Sequence, residues 1–156
     1  MKYKTCCFSG HTNLPTKKIR QIILRLNKEV DILIQNGVNN FVSGGVPGFD
    51  HIASSLVITK KEQGKDVRLI FALPYHNYEK NWADKQKQLF YGLLSEADEI
   101  RYVSDNYEDG CIKKRNRYLV ENSAYCICAL TKKLSETALT VEYAKKQGLQ
   151  IINVAK

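Results

Sequence analysis

Ser43-Gly44-Gly45-Val46-Pro47-Gly48-Phe49-Asp50-His51-Ile52-Ala53 joins the apolar run Asn40–Ser43 to a helical pattern over Phe49–Gln63. The junction reads as a ligand-binding strand-to-helix turn. Gly44, Gly45 and Gly48 remove side chains where the backbone bends sharply or approaches a ligand, and a helix beginning near Phe49 points its unpaired N–H groups at whatever occupies the turn. Such a helix start suits an anion, typically phosphate. The spacing is neither G-x-G-x-x-G nor a Walker loop, because no Gly-Lys-Ser/Thr follows. The same residues also fit a glycine-rich turn that holds no ligand.

On both sides of this junction short apolar runs alternate with longer helical patterns: Thr5–Ser9 with Lys17–Gln35, Val67–Leu73 with Glu79–Ala97, Glu99–Val103 with Cys111–Asn122, and Tyr125–Leu130 with Glu136–Gln147, before a last strand at Gln150–Val154. Ile19, Ile22, Ile23, Leu26, Val30 and Leu33 recur at helical spacing and form one apolar stripe; Leu89, Phe90, Leu93, Leu94 and Ala97 repeat the device. Near-continuous apolar strands between such helices predict a Rossmann-like α/β three-layer sandwich, with a mainly parallel sheet and helices on both faces. Gly37, Gly64 and Gly148 each follow a helical run, where a left-handed cap stops it. In such sheets ligands bind beyond the carboxyl ends of the strands, where strand order reverses. That rule puts Ser9-Gly10-His11, Ser43-Gly44-Gly45, Leu73-Pro74-Tyr75 and Thr131 with its following loop on one rim.

The chain of 156 residues, 44% apolar, suits a single domain over residues 1–156. Its charge of +8, from 24 Lys and Arg against 16 Asp and Glu, favours anionic ligands. Five cysteines, Cys6, Cys7, Cys111, Cys126 and Cys128, are odd in number, and four lie in apolar runs. This argues against a disulfide framework, and Cys126-x-Cys128 has no second Cys/His cluster at zinc-ligand spacing, so no metal site is expected. Free thiols and the lack of a signal peptide or membrane span predict a cytoplasmic protein with no membrane partner.

Taken together, Cys7-Phe8-Ser9-Gly10-His11, Ser43-Gly44-Gly45-x-x-Gly48-x-Asp50-x-x-Ala53, Leu73-Pro74-Tyr75, Tyr107, Arg115-Asn116 and Thr140-Val141-x-Tyr143-Ala144 resemble the YpsA-type branch of the SLOG superfamily, nearly end to end. These Rossmann-like domains are related to the cytokinin-activating phosphoribohydrolases and to the DNA-processing protein A core. The resemblance implies a nucleotide-like ligand at the glycine-rich rim, aligns Arg115 with the phosphoribohydrolase arginine, and suggests a homodimer paired through helices. It implies no reaction and no cofactor.

Two departures from the phosphoribohydrolases bear on chemistry. Where a Gly-Gly-Thr turn is expected, the chain has Ser135-Glu136-Thr137, so a carboxylate stands at a helix start. Glu136 there repels phosphate, and instead accepts from a ribose or an amine or caps the helix, the last worth ~0.3–1 kcal/mol. Thr140 takes the position of the catalytic Glu. Glu142 is rotated from it by roughly 200° and does not substitute.

The ligand-binding candidates are therefore Gly10, His11, Ser43, Gly44, Gly45, Gly48, Asp50, Pro74, Tyr75, Arg115, Asn116, Glu136 and Thr137, with Arg115 and Glu136 the catalytic candidates. An Arg115 fork clamps phosphate or carboxylate bidentately; a solvated basic helix face is the plainer reading. His11 stacks on or hydrogen-bonds a base, or is an unpartnered loop histidine. Asp50 binds a ribose hydroxyl or merely caps its helix. Tyr75, His76, Tyr78 and Trp82 stack on a base or cover the site, or Tyr78 and Trp82 form a packing pair at a helix entry.

Three functions are compatible with these residues. The leading one is binding of a nucleotide or nucleotide-derived small molecule, as sensor or sequestering domain. The alternatives are an N-glycosidic hydrolase of nucleoside monophosphates, with Glu136 or Asp50 stabilising a ribosyl cation, and a binder of single-stranded nucleic acid.

Overall fold

The computed structural model describes all 156 residues. Six strands, β1 (Thr5–Gly10), β2 (Asn40–Ser43), β3 (Arg68–Leu73), β4 (Glu99–Tyr102), β5 (Tyr125–Ala129) and β6 (Gln150–Asn153), alternate with five helices. These are α1 (Ile19–Gln35), α2 (Phe49–Glu62), α3 (Asp84–Ser95), α4 (Cys111–Glu121) and α5 (Glu136–Lys146). The strand order is β4-β3-β2-β1-β5-β6. Every pairing is parallel, so the sheet is wholly rather than mainly parallel.

Strand alternation divides the core. Cys6 and Phe8 face one way, with Ile22, Leu26, Val30 and Leu33 of α1, Phe49, Ala53 and Val57 of α2, and Phe90 and Leu93 of α3. Cys7, Cys126 and Cys128 face the other, with Leu119 and Val120 of α4 and Val141 and Ala144 of α5. All five cysteines are free and buried, behaving as small core residues. The α1 stripe is narrower than its periodicity suggests, for Ile23 stays 39% exposed. Lys60 of α2 is buried yet paired, 2.9 Å from Asp31 and 2.6 Å from Asn27, which ties α2 to α1.

Gly37, Gly64 and Gly148 all adopt positive φ just beyond their helices, as their positions predict. The third helix differs from expectation. It starts at Asp84, not Glu79, because Asn77 takes φ 64° and Gln86 Oε1 accepts the Ala83 N–H at 3.3 Å, fixing the helix start there. Trp82 then turns inward, its ring 4.9 Å from Phe90 and 5.9 Å from His51. No helix is long and apolar enough to cross a membrane.

Chain order reverses between β1 and β5, since β2, β3 and β4 run out on one side and β5 and β6 on the other. The switch point is therefore at the carboxyl ends of these two strands.

Candidate functional site

A cleft of ≈ 410 Å³ opens over that switch point. Its walls come from the end of β1 (Gly10, His11), the first turn of α2 (Asp50), one face of α4 (Arg115, Asn116) and the start of α5 (Glu136, Thr137, Thr140). Seven sequence candidates thus meet there: Gly10, His11, Asp50, Arg115, Asn116, Glu136 and Thr137. Ser43, Gly44, Gly45, Gly48, Pro74 and Tyr75 do not line it.

The glycine-rich turn lies behind the cleft and divides its labour. A Cβ on Gly45 would stand 2.7 Å from Leu73 Cδ2 and 3.1 Å from Phe90, and the residue has φ +74°, so this position is closed by core. Gly48, at φ +97°, lets the turn pass against the backbone of His11 and Thr12. Gly10 makes room for Phe49. Gly44 instead backs onto two side chains that do line the cleft: its Cβ would lie 3.0 Å from Arg115 Cζ and 3.1 Å from Asp50 Oδ2. Ser43 Oγ accepts the Gly45 N–H at 3.1 Å and so shapes the turn. The helix start is less vacant than a free anion site, because the Phe49 N–H already donates to the His11 carbonyl at 3.2 Å.

Arg115 is 2% exposed, the largest fully buried side chain in the molecule, and not a solvated helix face. Its Nη1 donates to the carbonyl of Gly44 and, at 3.5 Å, to that of Ala72; its Nε donates to Asn116 Oδ1 at 2.9 Å. Nη2 makes no hydrogen bond to protein, and Tyr78 lies with its ring centroid 5.8 Å from Cζ. The guanidinium is thus held by two strand-end carbonyls and keeps one nitrogen for a ligand.

Asp50 is 5% exposed. Its Oδ2 accepts the Val46 N–H at 3.4 Å, while Oδ1 is sealed from solvent with no partner. Burial pushes its pKa up to about 7, against the opposing pull of the Arg115 charge and of the Val46 and Gly44 N–H groups. No ion pair within 4 Å joins the two residues.

His11 is neither idle nor free to read a base by that nitrogen. Its Nε2 accepts the backbone N–H groups of Thr131 at 3.0 Å and Lys132 at 3.3 Å, so the loop after β5 hangs on the ring. Burial first, and the Lys132 charge second, hold its pKa below the usual value, which keeps Nε2 an acceptor.

At α5 the capping role falls to Ser135, whose Oγ accepts the Ala138 N–H at 3.1 Å and donates to the Lys132 carbonyl at 2.9 Å. Glu136 is exposed at the cleft edge, and Thr140 is buried, its Oγ1 donating to the Glu136 carbonyl at 3.0 Å. Tyr75 packs edge-on against Tyr78 at 5.4 Å and Tyr107 at 5.5 Å, while Tyr78 and Trp82 pack at 5.3 Å. Of that cluster only Tyr78 reaches the cleft.

Thr12, Asn13, Val46, Lys132 and Leu134 also line the cleft and were not singled out from sequence. Lys132 and Leu134 belong to the loop that the strand-end rule points to; Thr12 and Asn13 directly follow His11. His51 was missed too, although buried: its ring bonds the Gly45 carbonyl through Nε2 at 2.9 Å and stacks on Phe90. No group of three or more His, Cys, Asp or Glu stands together as a metal would need.

Comparison with known proteins adds a frame to this geometry. The YpsA model, described as the YspA SLOG family, matches residues 6–152. The SPbeta prophage-derived protein YoqJ of Bacillus subtilis is 25% identical over 144 residues, spanning 85% of this chain and 83% of its own. A UPF0398 protein of Bacillus pumilus is 25% identical over 107 residues, 67% of this chain, which covers 58% of that protein's length. Among solved structures, DNA processing protein A from Streptococcus pneumoniae superposes with TM-score 0.68 at 15% identity, over 96% of this chain and 50% of that one. The Helicobacter pylori protein, whose structure describes a single-stranded DNA binding mode, gives 0.66 at 18% identity, over 94% and 63%. The likeness is one of fold: a Rossmann-like domain shared across chains of different length.

Proposed function

We propose, from the premise that this chain belongs to the YpsA SLOG family, that its cleft binds a nucleotide or nucleotide-derived small molecule through an anionic group seated on Arg115. One observation supports this above the others: a fully buried guanidinium, fixed by the Gly44 and Ala72 carbonyls, keeps Nη2 unpaired at the strand switch point. Nη2 is not sealed with the rest of the side chain, so a guanidinium N–H fixed in direction by the protein stands open to an anion from the cleft. The surrounding cleft, with Tyr78, Ile112, Leu119 and Leu134 beside polar groups, suits a base and sugar. Its role in the cell on this reading is that of a sensor or sequestering domain.

The test is calorimetric titration with a panel of nucleoside mono-, di- and triphosphates, and native mass spectrometry of protein purified from its source. One-to-one binding of at least one nucleotide, weakened ~10-fold or more in Arg115→Lys, is expected, because lysine keeps charge but not the planar fork. A panel without any binder, and protein that carries no small molecule, would sink the proposal.

The DNA-processing neighbours and the +8 charge favour a second reading, single-stranded nucleic-acid binding. Salt separates the two. Several phosphate contacts give a steep loss of affinity with ionic strength, and a single seated phosphate a shallow one.

A further inference from the structure

We infer that the cleft takes up a proton together with its anionic ligand, and that Asp50 is the group receiving it. This rests on the reading of Arg115 as an oxyanion seat. The geometry supplies the reason. Arg115 Cζ and Asp50 Oδ2 lie 3.0 Å and 3.1 Å from the one point where a Gly44 Cβ would stand, both residues are nine-tenths or more buried, and an oxyanion on Arg115 Nη2 would share this enclosure with the Asp50 carboxyl. Two negative charges a few ångströms apart in a poorly solvated site repel strongly, so one of them takes a proton.

The side chain is arranged for the neutral form. Oδ2 is the atom that accepts the Val46 N–H, which leaves the acid proton on Oδ1, the oxygen with no partner in the protein. An ionised Oδ1 there is a charge sealed from solvent without a donor, a cost that protonation removes. The Arg115 cation by itself opposes protonation of Asp50. A ligand that neutralises Arg115 removes that opposition.

The other charged and titratable groups around the cleft do not mimic this linkage. Lys132, from the loop after β5, and Glu136, at the start of α5, lie at its edge; Tyr78 faces it from the loop after β3. His11, from the end of β1, has its pKa held below 6.5 and is neutral throughout the range above pH 7. A phosphate monoester, with its second pKa near ~6, keeps its double charge there as well.

The experiment measures binding of adenosine 5′-monophosphate, or of the tightest nucleotide from the panel, from pH 7.5 to 9 in buffers of different ionisation enthalpy. Inorganic phosphate and the corresponding uncharged nucleoside are run beside it. The expected result is net proton uptake for the nucleotide and for phosphate, and none for the nucleoside. Affinity should fall by up to ~10-fold per pH unit, the slope of one coupled proton. Asp50→Asn should bind the same nucleotide with no proton uptake and a flat pH profile. Binding that is pH-independent and proton-neutral in the wild-type protein overturns the inference and leaves the anion seat standing, while uptake that persists in Asp50→Asn assigns the proton elsewhere and overturns it equally. No binding at any pH removes both. Should Asp50→Asn fail to fold, the carboxyl carbon resonance of Asp50 in the wild-type protein at pH 8 makes the assignment: nucleotide should move it to the protonated position, and an unmoved resonance overturns the inference.

Discussion

Arg115 Nη1 donates to the carbonyl oxygen of Gly44, a residue 71 positions earlier in the chain. One guanidinium thereby joins α4 to the end of β2 and, through Ala72, to the end of β3. Its structural duty and its proposed binding duty are inseparable by deletion. Arg115→Ala strands two buried carbonyls and should lower unfolding free energy by about 2–4 kcal/mol, read as a shift in denaturant midpoint. Arg115→Lys should lose less, and at a pH where both proteins are folded its weaker nucleotide affinity isolates the binding part. Unchanged stability in Arg115→Ala would mean that these contacts are not made in solution.

The adjacent glycines predict opposite phenotypes. Gly44→Ala places a methyl 3.0 Å from Arg115 Cζ and 3.1 Å from Asp50 Oδ2, so it should weaken nucleotide binding while the fold survives. Gly45→Ala meets Leu73 Cδ2 at 2.7 Å with φ +74°, and should cost about 1–3 kcal/mol through overpacking and strain. Thermal denaturation and titration of both variants check this. A Gly45 variant that keeps its melting temperature would remove the packing argument.

How much of this was visible in the sequence depends on the distance over which each property is set. The elements were legible because apolar runs and stripes such as Val67–Leu73 and Ile22-Leu26-Val30-Leu33 are local. The α3 start was not: Tyr78 and Trp82 have helical spacing, but they meet across a turn that Asn77 makes. The glycine-rich turn is legible, yet that Gly44 backs onto Arg115 and Asp50 while Gly45 is closed by Leu73 and Phe90 depends on residues from β3, α3 and α4. The burial of Arg115 and the displaced acidity of Asp50 are consequences of three-dimensional enclosure, so no spacing announces them.

Asp50 gives stability a pH dependence of definite sign. Its folded pKa, about 7, lies above the unfolded 3.8, so the folded state binds the extra proton. Its contribution is complete below the unfolded value and is lost as pH rises toward and through 7. At 1.36 kcal/mol per pKa unit the loss amounts to a few kcal/mol. Asp50→Asn should therefore gain stability relative to wild type as pH rises from 5 to 8. Denaturant curves at these two pH values check it, and a constant difference between the proteins would contradict the buried-acid picture.

His11 works in the opposite direction. Its folded pKa is depressed below 6.5, so its contribution is present above the unfolded value and is lost as pH falls through the folded one. His11→Ala leaves the Thr131 and Lys132 N–H groups without their acceptor and should cost about 1–3 kcal/mol at pH 8, less at pH 5. Hydrogen exchange at Thr131 and Lys132 should rise in the variant. Asn153 also pairs with the backbone of Leu130, accepting its N–H and donating to its carbonyl, each at 3.1 Å, so unaltered protection would show that the loop is held by Ser135 and Asn153 rather than by the ring.

Thr140 occupies the place where the phosphoribohydrolase resemblance puts a catalytic Glu, and its hydroxyl is turned to the Glu136 carbonyl at 3.0 Å. Losing a positioned general acid or base typically removes ~10²–10⁴-fold in rate. Adenosine or cytokinin monophosphates should therefore persist through long incubation with stoichiometric protein, free base being followed by chromatography. Several turnovers per minute would reverse that expectation, and the variants would say which acid is responsible: loss in Glu136→Gln assigns the exposed carboxylate at the cleft edge, loss in Asp50→Asn the buried one beside Arg115. Thr140→Glu supplies the converse. Thr140 is 5% exposed and lines the cleft, so a carboxylate there destabilises the fold unless it reaches into the cleft. A folded Thr140→Glu protein that gains hydrolysis would show that the remaining groups already hold a phosphoribosyl substrate in reactive geometry; one that folds and binds nucleotide without hydrolysing it would show that the cleft is built for recognition.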